Sequence, residues 1–415
     1  MEFIKLINYT VSAVFFIFYF YQFIYVVIPF LVKGRNEKPC VLHKYAVLIS
    51  ARNESKVISA LIESIRNQSY PSELVDIFVV ADNCTDNTAE IARNAGAVVW
   101  ERFSKTAVGK GYAIDFLYNK ILEEYGNIHD GFFIFDADNL LDPNYISEMN
   151  KTFSQGYKII TSYRNSKNYD SNWISAGYAL WFLRESKFLN YSRMLLGTSC
   201  AVGGTGFLFH RSIIEQTGGW KFFLLTEDIE FTVHNVINGE KIGYCENAVV
   251  YDEQPEKFSQ SWKQRLRWAK GFLQVFQNYG AELIKSIFKR KSFACYDMTM
   301  TIIPAMFLTV ITGIINIVYA FYRALLGLSL GGILILIFQA FINMYLILFV
   351  LGVITTITEW DKINCSTAKK LGYTFTFPIF IFTYIPITIV AIFKNVKWEP
   401  IDHVRSTTIE EMKRN

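Results

Sequence analysis

Charge is scarce in this chain. Only 19% of its 415 residues are Asp, Glu, Lys or Arg, against about 25% in an ordinary soluble domain. The shortfall is not spread evenly. Leu6 to Val32, Met298 to Tyr322, Ala324 to Thr358 and Leu371 to Phe393 contain no charged residue, over 27, 25, 35 and 23 positions. Each is long enough for a helix that crosses a membrane, which needs roughly 20 apolar residues. A purely soluble enzyme, a disordered chain and a small disulfide scaffold are excluded. A transporter or channel is disfavoured too, because Lys33 to Asp297 form one polar block of 265 residues.

Other absences narrow the reading. The six cysteines (Cys40, Cys84, Cys200, Cys245, Cys295 and Cys365) form no C-x-x-C pair, so reduced thiols in a cytoplasmic or membrane setting fit better than a disulfide or zinc framework. No repeat or low-complexity stretch is present. A net charge of +4 forms no basic stripe, so no nucleic-acid partner is expected. No small-x-small cleavage site follows Val32, and residues 1–32 are therefore expected to stay as a transmembrane helix. Lys33, Arg35, Lys38 and Lys44 follow that helix, against Lys5 before it. The positive-inside bias then puts the polar block in the cytoplasm.

The first part of the block alternates strand and helix patterns. Tyr45–Ser50, Val75–Val80, Ala97–Trp100 and Gly131–Phe135 read as strands. Helical spacing covers Ser55–Asn67, Thr85–Ala95 (with Thr85 or Asp86 as N-cap) and Gly111–Tyr125. Such alternation predicts a mostly parallel α/β sheet covered on both faces, with ligands beyond the carboxyl ends of the strands. Those ends are acidic or amide-bearing: Arg52-Asn53-Glu54, Asp82-Asn83-Cys84-Thr85-Asp86 and Asp136-Ala137-Asp138. Singly, each has an ordinary explanation as a helix cap or turn. Two carboxylates one residue apart repel unless a cation or solvent screens them. Hard oxygens of this kind suit Mg²⁺ or Mn²⁺ bridging to phosphates.

Lys110, between two glycines ahead of a helix, is placed to reach a phosphate or simply to be solvated; the Walker spacing is absent. Thr226-Glu227-Asp228 opens a helix to Ile237, either as favourable N-terminal acids or as a catalytic base. Gln264-Arg265-Leu266-Arg267-Trp268 lies on an amphipathic stretch. There Trp262, Trp268, Lys263, Arg265 and Lys270 would serve as interfacial anchors.

Taken in order, Asp82, Asp136-Ala137-Asp138, Thr226-Glu227-Asp228 and Gln264-x-x-Arg267-Trp268 resemble the processive family-2 membrane glycosyltransferases, the cellulose, chitin and hyaluronan synthases. The resemblance runs from about Tyr45 to Gly271, plus the flanking apolar helices. It implies a GT-A fold (a Rossmann-like mixed sheet), a UDP-sugar donor, Mg²⁺ or Mn²⁺, a growing polysaccharide and an exit path through the bilayer. It gives Glu54 and Asp82 to the uridine end of the donor, Lys110 to its phosphates and Asp138 with Asp136 to the cation. By the same resemblance Asp228 would be the general base, with Glu227 beside the acceptor, and Gln264, Arg267 and Trp268 would hold the diphosphate and the acceptor sugar. Gly203-Gly204-Thr205-Gly206 falls where the family has an acceptor loop, although its wording differs from the cellulose synthase motif. The sugar is not fixed by sequence; UDP-glucose and a β-glucan lead, with an N-acetylglucosamine polymer next and a polyprenyl-phosphate glycosyltransferase as the other enzyme reading.

The expected layout is a helix at 1–32, a glycosyltransferase domain at 33–257, interfacial helices at 258–297, about three spans at 298–393 and a polar tail at 394–415. One N-terminal and three C-terminal spans would put the tail outside. Yet Trp398-Glu399-Pro400-Ile401-x-His403 reads as a purposeful segment able to cover a cytosolic donor, which needs an extra pass or a hairpin near Pro378 and Pro386. With so short a tail, a C-terminal regulatory domain is not expected. Activity is then expected to be constitutive or controlled by partners, such as accessory export proteins.

Overall fold

The computed structural model describes residues 2–32, 40–303, 305–327, 331–401, 403 and 407–414. Lys33, Arg35 and Lys38, used above to orient the first span, lie outside the described residues.

Among the described residues, the polar block folds around one mixed sheet of eight strands. They are β1 (Tyr45–Ala51), β2 (Val75–Asp82), β3 (Val98–Arg102), β4 (Gly131–Asp136), β5 (Leu140–Leu141), β6 (Ile159–Ser166), β7 (Phe207–His210) and β8 (Ile242–Asp252). Their spatial order is β3-β2-β1-β4-β7-β6-β8-β5. The first four are parallel, β7 runs against both β4 and β6, and β8 runs parallel to β6. The carboxyl ends of β1, β2, β4, β6 and β8 therefore meet at one edge of the sheet, where β7 begins.

Alternation along the strands supplies both faces of the core. Ala46, Leu48, Phe78, Val80, Phe132 and Ile134 pack with the helix Lys110–Tyr125 on one side. Tyr45, Val47, Ile49, Val79, Phe133 and Phe135 pack with the helices Ile58–Arg66 and Tyr145–Ser154 on the other. The second predicted helix begins at Thr88, not Thr85. The Asp86 side chain accepts hydrogen bonds from the Thr88 backbone (3.1 Å) and hydroxyl (2.5 Å), which keeps 85–87 as a turn. That helix and its neighbour Ile58–Arg66 are each shorter than their apolar spacing suggests.

Among the described residues, three apolar helical stretches are long enough to cross a membrane: Ile4–Leu31, Gly331–Thr358 and Thr367–Phe393. Met298–Tyr322, read as one span, is divided instead between Phe293–Ile302 and Ala305–Leu325. The third long stretch bends at Thr383, between Thr367–Phe382 and Tyr384–Phe393. It stays against the polar domain over its whole length. Lys369 donates to the Asp170 carbonyl at 2.8 Å, Arg265 to the Phe380 carbonyl at 3.2 Å and Lys270 to the Ala391 carbonyl at 3.1 Å. Just before it, the amide of Asn165 donates to the Lys362 carbonyl at 3.0 Å. Residues 394–401 consequently start from the side of the bundle that faces the sheet domain.

Candidate active site

The acidic loops interlock. Asn53 and Asn83 both have left-handed backbones (φ 58° and 53°), a conformation Asn tolerates better than most residues. The Asn53 side chain accepts from the Thr85 backbone at 2.8 Å, and the Glu54 backbone donates to the Thr88 hydroxyl at 2.9 Å. Asp82 is buried and receives Arg102 Nη1 at 2.5 Å and Asn83 Nδ2 at 3.1 Å. Arg102, at the end of β3, carries no motif that would single it out.

Asp136 and Asp138 diverge. Asp136 meets Lys110 Nζ at 2.5 Å, and the same ammonium donates to the Gly204 carbonyl at 2.7 Å and lies 3.9 Å from Glu227. Burial opposes the charge on Lys110, but Asp136 and Glu227 outweigh it and raise its pKa. Gly111 explains how Lys110 gets so close: a Cβ there would lie 2.1 Å from the Phe222 carbonyl oxygen. Only a glycine lets the helix start press against the extended loop leading to Thr226. Asp138 is buried. Its Oδ2 accepts from the Glu253 backbone at 3.0 Å and lies 3.9 Å from His403 Nε2. Burial opposes its ionisation, yet His403 and Lys167 hold its pKa below the ordinary value.

The Gly203–Gly206 loop is not a plain turn. Its conformation is fixed from below: the Gly206 backbone donates to the Ile134 carbonyl at 3.0 Å, and the Thr205 hydroxyl takes the Asp136 backbone N–H at 2.9 Å. Gly204 (φ 80°) faces Asp228 Oδ2, 3.8 Å from where a Cβ would stand. Arg164, from β6, donates to the Gly203 carbonyl at 2.9 Å and to Asp252, at the end of β8, at 2.7 Å. Glu227 and Asp228 form the first turn of Glu227–Ile237, with Thr226 as N-cap residue. Burial raises both carboxyls, Glu227 to about 7, while Lys110 pulls each back. Gly271, on the long helix Phe258–Lys289, gives room for Thr226, since a Cβ would lie 2.5 Å from its side chain. That helix therefore packs directly on the turn carrying Asp228.

The same helix presents Gln264, Arg267 and Trp268. Gln264 Oε1 and Arg267 Nε are buried without a hydrogen-bond partner. They line a cavity of about 290 Å³ shared with Lys263, Lys394 and Lys397. Trp268 packs edge-on against Tyr178 (5.7 Å between centroids) and Phe182 (6.2 Å). Arg265 is not an interfacial anchor: it is fully buried, donates to Phe380 and Thr383, and lies over the Phe380 ring at 4.5 Å. An odd-face arginine in an amphipathic repeat looks like a surface anchor until the last apolar helix covers it.

The tail enters the site. His403 Nδ1 lies 3.0 and 3.1 Å from the two Glu54 oxygens, and Arg52 stacks on Trp398 at 5.2 Å. Burial raises the Glu54 pKa to about 7, with His403 acting against the shift.

The donor chemistry fits a divalent cation in part. Among the described residues Asp138 Oδ1 meets only the adjacent Asn139 amide, at 3.5 Å, which leaves a hard oxygen able to ligate, while Asp136 is turned toward Lys110. Among the described residues no group of three or more His, Cys, Asp or Glu side chains is already arranged around a metal position.

A sheet with acidic strand ends, a lysine and an arginine at one edge, and a carboxylate beside a glycine loop defines a GT-A nucleotide-sugar transferase. Residues 43–271, over half the chain, match the family described as glycosyltransferase like family 2; the chain belongs to that family and is a glycosyltransferase. The probable glycosyltransferase YdaM of Bacillus subtilis (strain 168) is 25% identical over 358 residues, covering 81% of this chain and 80% of that protein. The β-monoglucosyldiacylglycerol synthase of Nostoc sp. (strain PCC 7120 / SAG 25.82 / UTEX 2576) is 25% identical over 277 residues, 62% of this chain and 56% of the relative. The poly-β-1,6-N-acetyl-D-glucosamine synthase of Staphylococcus epidermidis (strain ATCC 35984 / DSM 28319 / BCRC 17069 / CCUG 31568 / BM 3577 / RP62A) is 24% identical over 243 residues, 58% and 57%. The chain thus spans little more than half the length of the last two. The fold is similar to that of the mannosyltransferase PcManGT from Pyrobaculum calidifontis, solved in complex with GDP-Man and Mn²⁺. Its TM-score is 0.59 at 15% identity, over 92% of this chain and 98% of that one.

Proposed function

We propose that this glycosyltransferase is an inverting, processive enzyme of the cell membrane that takes a UDP-sugar on the cytoplasmic side and lengthens a β-linked polysaccharide. The observation that carries the reading is Asp228, a half-buried carboxylate facing Gly204 and flanked by Lys110 and Arg267. It lies on a turn braced by the helix that also bears Gln264 and Trp268. Docking of that helix on Tyr384–Phe393 supports an acceptor path that leads toward the apolar helices.

In this reading Glu54 and Asp82 hold the uridine end. Asp138 would hold Mg²⁺ or Mn²⁺, joined by Asp136 once Lys110 turns from it to the diphosphate, and the cation would supply charge neutralisation there. Lys110, Gln264 and Arg267 bind the diphosphate oxygens as charge develops on the leaving UDP. Asp228 removes the acceptor hydroxyl proton as that oxygen attacks the anomeric carbon from the opposite face, a contribution of roughly 10²–10⁴-fold. Attack from that face turns an α-linked donor into a β-linkage. Glu227, Gly204, Thr205, Gly206 and Trp268 orient the acceptor. UDP-glucose and a β-glucan are the donor and product; the Staphylococcus relative's name supports UDP-N-acetylglucosamine as the alternative sugar.

A second reading is non-processive transfer to a lipid. The edge-on packing of Trp268 against Tyr178 and Phe182 favours it, since the ring is then less open to a stacked sugar, and the Nostoc relative's name agrees. Purified full-length protein in nanodiscs, given UDP-glucose or UDP-N-acetylglucosamine with Mn²⁺ or Mg²⁺, separates the two. Long polymer with released UDP supports the processive reading; UDP release that requires added lipid acceptor, with a single sugar transferred, overturns it.

A further inference from the structure

Residues 173–196 form one helical rod whose winding changes in the middle. Trp173–Arg184 is α-helical, Glu185–Asn190 is a π-turn, and Tyr191–Leu196 is α-helical again. Such turns are rare and collect at functional sites. This one is pinned at both ends. Asn190 accepts from the Ala201 backbone at 3.0 Å and donates to the Ala201 carbonyl at 3.1 Å, and Ser186 accepts from the Arg164 backbone at 3.1 Å. The π-turn is therefore locked to β6 and to the segment that enters the Gly203–Gly206 loop.

Its first residue, Glu185, points at that loop: a Cβ on Gly203 would lie 3.6 Å from Glu185 Oε1. The next glycine, Gly204, faces Asp228. Two carboxylates thus flank one glycine pair. Among the described residues the Glu185 carboxylate makes no direct hydrogen bond or close ion pair, although the charges of Arg164, Arg193 and Arg184 act on it from further away. Arg164, beside it, is already committed to Asp252 and the Gly203 carbonyl. A half-buried carboxylate without a donor is costly, and a rigid frame that keeps it so is arranged for a donor from outside. A cavity of about 20 Å³ lies between Arg164, Phe182, Glu185, Ser186, Gly203 and Thr205, enough for one water. Phe182 adds a flat apolar wall, held under the Arg164 guanidinium at 3.6 Å and beside Trp268.

We infer that Glu185 binds the acceptor, taking a hydrogen bond from a hydroxyl next to the one Asp228 deprotonates. The acceptor end then presents two neighbouring hydroxyls, as a sugar ring does and as the single free hydroxyl of a diacylglycerol does not. The inference rests on the reading of Asp228 as base.

The test uses the full chain in nanodiscs, with UDP release measured from UDP-glucose and from UDP-N-acetylglucosamine. The acceptor probes are octyl β-glucoside, octyl β-N-acetylglucosaminide and dioleoylglycerol. An octyl glycoside is expected to stimulate UDP release. Glu185→Gln should lower kcat/KM for that glycoside about 10- to 100-fold, the span of a charge-assisted hydrogen bond. Donor KM and acceptor-free UDP release should stay within about twofold, a split that general structural damage would not produce. Deleting the partner hydroxyl from the glycoside should cost the wild type the same factor and Glu185→Gln nothing more. The inference is overturned by stimulation with dioleoylglycerol alone, by no stimulation at all, by wild-type acceptor saturation in Glu185→Gln, or by donor affinity falling in step. Asp228→Asn in parallel separates the two levels: retained transfer there sinks the base assignment, whereas lost transfer with an unaffected Glu185→Gln sinks only this inference.

Discussion

His403 Nδ1 sits 3.0 Å from a carboxylate oxygen of Glu54, 349 positions earlier in the chain. The contact joins the C-terminal tail to the end of β1, and the same imidazole lies 3.9 Å from Asp138. The tail thus occupies carboxylates that the proposed function gives to the donor and its cation. A ligand that needs those groups must first displace His403, and its apparent affinity falls by the fraction of molecules in which the tail is docked. His403→Ala is therefore expected to tighten UDP binding about three- to tenfold in the presence of Mn²⁺, read by calorimetric titration. Unchanged or weaker binding would show that the tail assists the donor and does not compete with it.

A second buried pair ties the first apolar helix to the catalytic domain. Asp297 accepts from Arg193 Nε at 2.7 Å and Nη2 at 2.9 Å, and from the hydroxyls of Tyr21 (2.9 Å) and Tyr25 (2.7 Å). Both charged side chains are essentially inaccessible. Removing one partner leaves the other buried and uncompensated, which costs about 3–5 kcal/mol. Asp297→Ala should lower the thermal unfolding midpoint sharply and loosen the first helix from the domain. The double change Arg193→Met with Asp297→Leu should recover most of the loss, because well-packed apolar replacements of buried ion pairs are often tolerated. A double variant as unstable as the single one would mean the network has a role beyond charge compensation.

Gly111 allows a test of how Lys110, which the proposed function gives to the diphosphate, is held. Its absent Cβ leaves room for the Phe222 carbonyl, a backbone atom that cannot rotate away. Gly111→Ala must push the start of Lys110–Tyr125 off the loop before Thr226. The expected result is a loss of about 1–3 kcal/mol in stability and a fall in kcat of at least about tenfold, since a misplacement of one ångström can cost a hundredfold. Gly372→Ala, where a Cβ would meet nothing, serves as the control and should be near neutral.

The parallel half of the sheet is legible in sequence because each strand there is a short apolar run closed by a polar loop. β6, β7 and β8 are not. β7 has four residues, and β8 mixes burial classes across the register shift it shares with β6. Site residues at strand ends can be picked out because their carboxylates are concentrated there. Arg102 and Arg164 cannot, since each is a lone charged residue whose contacts, Asp82 and Asp252, come from elsewhere in the chain. Arg265 is misread for the opposite reason: its helical spacing suggests an exposed face, and only packing against Phe380 and Thr383 reveals that this face is covered.

The last prediction concerns the pH dependence of turnover. In the proposed function Asp228 is the base and must be ionised to act, so activity should rise with pH through its pKa. Burial raises that pKa above the ordinary aspartate value, while Lys110 and Arg267 lower it again. Glu227, one residue earlier, is lifted by burial to about 7 and is likewise restrained by Lys110. Taking away the Lys110 charge removes the restraint from both carboxyls, and the charged form of each becomes harder to reach. Lys110→Met should therefore move the acid limb of the kcat profile to higher pH, besides weakening diphosphate binding. Lys110→Arg keeps the charge and should leave the limb near its wild-type position even if kcat falls. The measurement is initial UDP release at saturating donor from pH 5 to 9 for the three proteins. An acid limb that does not move in Lys110→Met, or that moves equally in Lys110→Arg, would separate Lys110 from the ionisation of Asp228 and leave it only the phosphate.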